Sequence, residues 1–293
     1  MTASAIDADL VRRLLRAQFP RWADLPVEPI EPGGWDNRSF RLGSDKLVRL
    51  PSGPAYALQV EKEQHWLPIL APPLPVRIPR PLGLGRPGEG YSWSWSVYEW
   101  LPGEMAQAAA AEDPVRLACA LAGFLRALHV IDGRAGPPPG PHNCHRGGPL
   151  AHYDAEVRDC LSRLGRQVEG DRLLALWEGA VSSRWQGPPL WVHGDLVPSN
   201  LLVSGGRLSA VIDFGCCGVG DPACDLAIAW STFDPAGRAA FREKLPLDRD
   251  TWLRGRGWAL WKALVTLAGG DPRRAAEAER TLAQVLNSED LAR

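Results

Sequence analysis

Two short segments carry most of the chemistry open to this chain. One is His193-Gly194-Asp195-Leu196-Val197-Pro198-Ser199-Asn200, and the other, thirteen residues past that asparagine, is Asp213-Phe214-Gly215. Asn200 and Asp213 offer hard oxygen ligands of the kind Mg²⁺ takes. That ion binds few protein groups and keeps coordination positions for phosphate oxygens. Asp195 is then left to orient an alcohol and accept its proton. A metal, a positioned nucleophile and charge stabilisation are the requirements of phosphoryl transfer.

Three apolar runs flank these segments: Leu190-Trp191-Val192, Leu201-Leu202-Val203 and Ala210-Val211-Ile212, with a turn at Ser204-Gly205-Gly206. The pattern predicts a hairpin with one polar loop entering and another leaving, able to aim Asp195, Asn200 and Asp213 at one point. His193 is expected to hydrogen-bond the backbone and fix the loop, not to catalyse. Asp225 is expected to cap or brace, and Ser199 to form the turn.

The elements around this hairpin differ between the two ends of the chain. Leu10, Val11, Leu14 and Leu15 have one-face helical spacing, and Pro20 closes that helix. Strand character follows at 27–33, 37–42 and 46–50, with Gly43-Ser44-Asp45 as a hairpin turn and Pro29 and Pro32 confining the first strand to an edge. A helix is predicted from Tyr56 to Leu67, with Leu58, Trp66 and Leu67 as core contacts and Pro68 ending or kinking it. Strands near 81–84 and 91–100 complete a five-stranded sheet with one inserted helix. After Leu101-Pro102-Gly103-Glu104 the pattern is mainly helical, at about 113–130, 152–167, 170–183, 222–232, 236–244, 250–268 and 272–286.

The spacing from Asp195 to Asn200 matches the kinase loop H-R-D-x-x-x-x-N, with Gly194 in place of Arg, and Asp213-Phe214-Gly215 reads as D-F-G. Together with Pro198, Ile212, the segment Gly220-Asp221-Pro222-Ala223-Cys224-Asp225-Leu226-Ala227 and upstream Phe124–His129, nearly the whole chain resembles the aminoglycoside phosphotransferase family. That family includes choline-kinase-like and other small-molecule kinases. The resemblance implies an α+β, two-lobed, protein-kinase-like fold. Its small N-terminal lobe, an antiparallel sheet with one main helix, covers residues 1–100 and binds nucleotide. A hinge follows at 101–104, then a larger helical lobe at 105–293 with the catalytic loop and acceptor site.

The same resemblance assigns the nucleotide site. The loop Gly33-Gly34-Trp35-Asp36-Asn37-Arg38-Ser39 covers the triphosphate, with backbone N–H groups near Gly34 and donors from Asn37 and Ser39. Arg49 stands where kinases carry Lys, to hold the α- and β-phosphates; Arg does this bidentately and is bulkier. Glu63 is its expected ion-pair partner, with Glu61 as competitor. The backbone of Tyr98, Glu99 and Trp100 meets the adenine edge, which leaves ATP and GTP both open. Arg146-Gly147-Gly148 falls in the acceptor wall. Asp195 is the base, and Asn200 and Asp213 hold one or two Mg²⁺.

Other features read as structural. Gly83-Leu84-Gly85-Arg86-Pro87-Gly88 spells G-x-G-x-x-G but opens no helix, so it predicts a hairpin turn and not a dinucleotide site. His142, Cys144 and His145 lack a fourth ligand and follow a proline run, so they predict a loop. His129 ends a helix, where a cation suits the dipole.

A formal charge of −1 over 293 residues gives no attraction to nucleic acid or membrane. No apolar run reaches the roughly eighteen residues of a membrane helix, and the start of the chain carries Asp7 and Asp9 and no secretory signal. Six cysteines without paired spacing predict reduced thiols in a cytoplasmic protein. The reading leaves oligomeric state open.

Only Cys216 to Gly220 separate Asp213-Phe214-Gly215 from Asp221, and there is no A-P-E, so a small-molecule hydroxyl acceptor is expected and not a peptide. Asp154, Glu156, Asp159, Asp234, Glu289 and Asp290 are candidates for walling an aminoglycoside, and thirteen tryptophans for walling a more apolar acceptor such as a macrolide or an aromatic alcohol. The alternatives are a metabolic kinase of choline or homoserine type and a nucleotide-binding pseudokinase, the last favoured only by Arg49.

Overall fold

The computed structural model describes residues 6–31, 36–106 and 113–288. The chain forms two compact units, one of Met1–Gly103 with Ala210–Gly215 and one of Glu104–Ser209 with Cys216–Arg293.

The first unit opens with α1 (Ala8–Gln18), whose N-cap Asp7 accepts from the Leu10 N–H at 2.8 Å. Then come β1 (Val27–Pro29), β2 (Asn37–Leu42), β3 (Lys46–Pro51), α2 (Pro54–Leu70), β4 (Pro81–Gly85) and β5 (Trp95–Glu99). The sheet is antiparallel in the order β1-β2-β3-β5-β4, with the proline-bearing β1 at an edge as its sequence predicts. Strand alternation sorts its two faces. Phe40, Val48, Leu50 and Val97 join Leu10, Val11, Leu14 and Leu15 of α1 in one buried core. Ser39, Arg49 and Ser96 lie opposite one another on the other face, where α2 reaches them through Gln64 and Glu63.

Two expectations for α2 are corrected: Pro68 does not end the helix, which runs through it to Leu70, and Leu58 is not a core contact. A proline so near the end removes a single ladder hydrogen bond, and the Ala71 N–H still closes on the Leu67 carbonyl at 3.0 Å. Leu58 is 54% exposed, because the buried face is Gln59, Val60, Glu63, Leu67 and Leu70. The Gly83 motif is also placed differently. Gly83 and Gly85 lie in β4, and the turn comes later, at Gly88–Tyr91. A Cβ on Gly85 would stand 2.0 Å from the Trp95 ring, so an aromatic, not a phosphate, explains that glycine.

The second unit starts with β6 (Glu104–Met105), so Glu104, expected in the hinge, instead pairs with Val203. It continues with α3 (Pro114–His129), α4 (Asp154–Leu164), α5 (Gly170–Val181), β7 (Leu190–Val192), β8 (Leu201–Ser204), β9 (Arg207–Val211) and β10 (Gly218–Gly220). The helices α6 (Ile228–Ser231), α7 (Pro235–Lys244), α8 (Arg249–Ala268) and α9 (Pro272–Asn287) follow. β8 and β9 are the expected hairpin, with β6 added beside β8. β7 pairs with β10, a strand the sequence does not announce because Gly218-Val219-Gly220 has no alternation to read. The expected helix at 222–232 is a 3₁₀ stretch, Pro222–Ala227, followed by α6. Buried α8 is apolar or paired nearly all round and forms the spine of the unit.

His129 is not the cation expected at the end of α3. Burial pushes it down to about 4, and its Nε2 is enclosed without a partner. All six cysteines are free thiols. Among the described residues no helix is long and apolar enough to cross a membrane.

Candidate active site

In the first unit the sheet and α2 assemble an ion cluster. Arg49 projects from β3; its Nη2 donates to Asp213 Oδ1 at 2.8 Å, and its Nη1 lies 3.7 Å from Glu63 Oε1. Glu63, and not the exposed Glu61, is therefore the helix partner. The Tyr98 hydroxyl donates to Glu63 Oε2 at 2.8 Å. Burial pushes the Glu63 carboxyl up, against the pull of Arg49. Burial works against the Arg49 charge, but Asp213 and Glu63 outweigh it and raise its pKa. Glu63 Oε1 has no hydrogen bond.

Asp213 reaches this cluster because the segment after β9 belongs to the same unit. The Val211 N–H donates to the Arg77 carbonyl at 3.0 Å. Asp213 itself adopts φ +66°, a left-handed conformation that Asp enters more readily than most residues. Lys62 then donates to the Gly215 carbonyl at 2.7 Å. A Cβ on Gly215 would lie 2.4 Å from Gln59 Oε1, so the third residue of the motif must be small.

The remaining nucleotide-side residues are dispersed along the sheet. Asn37 is buried at the start of β2 and pairs with Pro51; Ser39 stands across from Arg49. Gly34 lies outside the described residues. Tyr98 and Glu99 end β5, and Trp100 follows it. The Glu99 and Trp100 N–H groups donate to the Arg80 and Asp45 carbonyls at 2.9 and 2.8 Å, and the Tyr98 side chain belongs to the ion cluster.

In the second unit the catalytic loop is clamped from below. Asp225 Oδ2 and Oδ1 accept the His193 and Gly194 N–H groups at 2.8 and 2.7 Å. His193 is fully buried, and its Nδ1 accepts from the Asp195 N–H at 3.2 Å. Both residues therefore shape the loop. Gly194 has φ +86°, and a Cβ there would stand 2.3 Å from the Cys216 carbonyl oxygen. Arg, the usual residue at that point of the kinase pattern, cannot fit.

Asp195 then projects beside two cations. Lys262 Nζ lies 2.5 Å from its Oδ1, and Arg146 donates from Nε to the Gly194 carbonyl at 2.9 Å. Burial works to raise the Asp195 carboxyl, but Lys262, Arg146 and His193 outweigh it and hold its pKa below the ordinary value. Asn200 Nδ2 donates to the Asp195 carbonyl at 2.9 Å, which leaves Oδ1 for another partner. Arg146 also donates to the Tyr153 hydroxyl at 3.0 Å and lies 4.7 and 5.2 Å from the Trp261 and Trp258 rings.

Lys262 is the residue the sequence leaves unremarked. Its signals are rarity, as one of four lysines, and a place four residues after Trp258 and eight after Arg254 on one helix. Arg254 is similarly informative. Its Nε pairs with Asp221 Oδ2 at 2.6 Å and ties α8 to the segment that holds Asp225.

The donors suit a magnesium ion carried by phosphates. Asp213 in the first unit offers a carboxylate and Asn200 in the second an amide oxygen, each a hard donor of the kind that ion takes, and among the described residues no group of three or more His, Cys, Asp or Glu could hold a metal alone. A hard cation bound by either residue would take most of its ligands from nucleotide and water.

Comparison with known proteins agrees with the fold. Residues 27–264 match the profile of the phosphotransferase enzyme family. The GDP complex of a mutant aminoglycoside 2'-phosphotransferase-IIIa superposes with a TM-score of 0.76 at 20% identity, over 98% of this chain and 99% of that one. The streptomycin–ATP ternary complex of APH(2'')-IIa gives 0.62 at 17%, over 97% of each chain. The apoenzyme of a macrolide 2'-phosphotransferase from Brachybacterium faecium gives 0.60 at 25%, over 97% and 99%. No curated protein matches.

Proposed function

The chain belongs to the phosphotransferase enzyme family, as a kinase of small-molecule hydroxyls, and on that premise we propose how its own residues divide the work. Asp195 orients the acceptor hydroxyl and takes its proton late in transfer. Arg49, fixed by Glu63 and Tyr98, meets the nucleoside triphosphate on the first unit, with Asn37 and Ser39 on the same strand pair. Asn200 and Asp213 hold Mg²⁺, which when bound offsets the charge that develops on the phosphates. ATP is the expected donor, with GTP as the other possibility. The observation that carries this reading is the loop itself: Asp195 is clamped through Asp225 and His193 and held ionised by neighbouring cations.

The acceptor is a small-molecule alcohol, an aminoglycoside or another antibiotic among the candidates. Asp154 accepts from Arg158 at 2.9 Å and from the Trp177 indole at 2.8 Å. Glu156 accepts from the Trp261 indole at 2.6 Å, Asp159 lies 3.6 Å from Arg163, and Asp234 caps α7. Glu289 and Asp290 lie outside the described residues. The four described carboxylates that the sequence offers as a wall for an aminoglycoside thus each have a protein partner, and the half-buried Tyr153 packs on the buried Trp258 and Trp261. An aminoglycoside, a macrolide-like antibiotic and a hydroxylated metabolite are the acceptors to test.

Nucleoside triphosphate consumption against a panel of alcohols, with Mg²⁺ present, tests the reading. Asp195→Ala should lower transfer roughly 10²- to 10⁴-fold with nucleotide affinity retained. Wild-type turnover in that variant would remove the base assignment. A pseudokinase reading draws on one contact, the 2.8 Å engagement of Asp213 by Arg49. Metal-dependent hydrolysis by the purified wild type would exclude it.

A further inference from the structure

The second unit bends its backbone sharply around one guanidinium. Among the described residues four outside glycine adopt left-handed φ, and only Cys144 and His145, at +50° and +54°, are consecutive. Gly147 follows at +77°. L-residues enter this region at a cost, and such conformations persist where surrounding contacts over-determine them. Here those contacts are explicit. Buried Asn143 accepts from the Gly140 N–H at 3.0 Å and donates to the Arg146 carbonyl at 3.1 Å. The His145 N–H donates to the Gly140 carbonyl at 2.9 Å, and the Gly147 carbonyl accepts from the Asp221 N–H at 2.8 Å. The side chain that this turn delivers is Arg146. Its Nε donates to the Gly194 carbonyl, and its Nη1 donates to the Tyr153 hydroxyl, which donates in turn to the Cys144 carbonyl. The Trp258 and Trp261 rings lie against the guanidinium and hold it without neutralising it. Arg146 is thus tied to the catalytic loop at the peptide that joins Gly194 to Asp195. A Cβ on Gly194 would stand 3.0 Å from Arg146 Cβ as well as 2.3 Å from the Cys216 carbonyl oxygen. The loop cannot carry its own arginine there, and a separate segment brings one beside it.

Resting on the function proposed above, we propose that Arg146 is the positioning residue of the catalytic loop. It fixes the Gly194–Asp195 peptide and so sets the direction in which the Asp195 carboxylate meets the acceptor hydroxyl. Arg146 makes and breaks no bond in transfer. Arginine suits this place because two donors on one rigid plane reach the Gly194 carbonyl and the Tyr153 hydroxyl together. A lysine ammonium, a point charge on a flexible stem, fixes neither as firmly. The role differs from that of a residue in the acceptor wall, since both donors point to protein oxygens.

Two measurements test this on the full chain. With glycine labelled at the carbonyl carbon and aspartate at the amide nitrogen, only Gly-Asp bonds give a paired signal, and the sequence has four, at 170–171, 194–195, 220–221 and 270–271. Asp195→Asn removes the 194–195 signal and so identifies it. Arg146→Lys should shift that signal and leave those at 170–171 and 270–271 in place. The second measurement is a double-mutant cycle on the alcohol that wild type phosphorylates fastest. Arg146→Met should lower kcat about 10- to 100-fold with the nucleotide KM unchanged, and Arg146→Lys about fivefold. Beside Asp195→Asn either substitution should cost less than about twofold, because a residue that acts by aiming Asp195 then has nothing to aim. A residue needed only for folding would cost the same factor in both backgrounds. Should Arg146→Met fail to fold, Arg146→Lys carries the cycle with the same expectation. An unmoved 194–195 signal overturns the proposal, as does an equal cost in the two backgrounds or a change confined to the nucleotide KM. When wild type is active and the cycle is additive, only the role of Arg146 falls. Should wild type transfer phosphate to no alcohol, the proposed function fails and the positioning role falls with it, even if the signal shifts.

Discussion

The two units each hold an ion cluster, and the clusters have opposite balances. In the first, one guanidinium faces two carboxylates, Glu63 and Asp213, within ion-pair distance. In the second, one carboxylate, Asp195, accepts from the Lys262 ammonium and lies under the field of Arg146. Asp225 does not redress that balance, because its oxygens are spent on backbone N–H groups. The same charge types thus prepare different partners. Surplus negative charge on the Asp213 side suits a divalent cation. Surplus positive charge around Asp195 holds its carboxyl below the ordinary range. The difference shows why a motif read as a list of ligands is incomplete: the partners of each carboxylate decide what it can still bind.

Deleting the cation on each side should break the symmetry of this comparison most visibly. Arg49→Met leaves Glu63, already without a hydrogen bond to one buried oxygen, and Asp213 uncompensated. A loss of about 3–5 kcal/mol is expected, read as the denaturant midpoint, with Arg49→Lys recovering part of it. Next in size, Asp213→Ala should weaken Mg²⁺-dependent nucleotide binding about a hundredfold, or about 2.8 kcal/mol, by calorimetry. Nucleotide binding in the absence of metal should change much less.

A buried group outside both clusters separates local charge effects from general pH sensitivity. His129 is pushed down to about 4 from an ordinary 6.5. Below 6.5 the unfolded chain binds a proton that the folded one refuses, so this contribution to stability is whole above 6.5 and falls as the pH drops toward 4. Between pH 6.5 and 5 the loss reaches at most about 2 kcal/mol. His129→Leu should flatten that part of the stability profile. The smallest effect belongs to Lys262→Met. Asp195 is open enough to stay hydrated, so stability should change by less than about 1 kcal/mol. An equal loss in Lys262→Met and Arg49→Met would erase the distinction between the two clusters.

Much of this was legible along the chain. Alternation in Asn37–Leu42 and Lys46–Pro51 reports a sheet with one apolar face, and the helices of the second unit, apart from α6, fall close to where the sequence places them. Pro68 misleads, because the penalty for a proline depends on how near the helix end it falls. Leu58 misleads because no local rule says which stripe of α2 meets the sheet. Gly194 reads as a departure from the kinase pattern, and its reason is the Cys216 carbonyl, far away in sequence. Lys262 lies sixty-seven residues from Asp195, with nothing local to connect them.

Sequence alone determined the chemistry on offer: which carboxylates and amides exist, in what order, on strands or loops, and therefore the family and the class of reaction. Local spacing suffices for this, because side-chain type and backbone periodicity are properties of neighbouring residues. Only the tertiary structure decided the charge each group works against. Coulomb interactions and burial act through space, so Arg49 against Asp213 and Lys262 against Asp195 became facts only when distant segments packed.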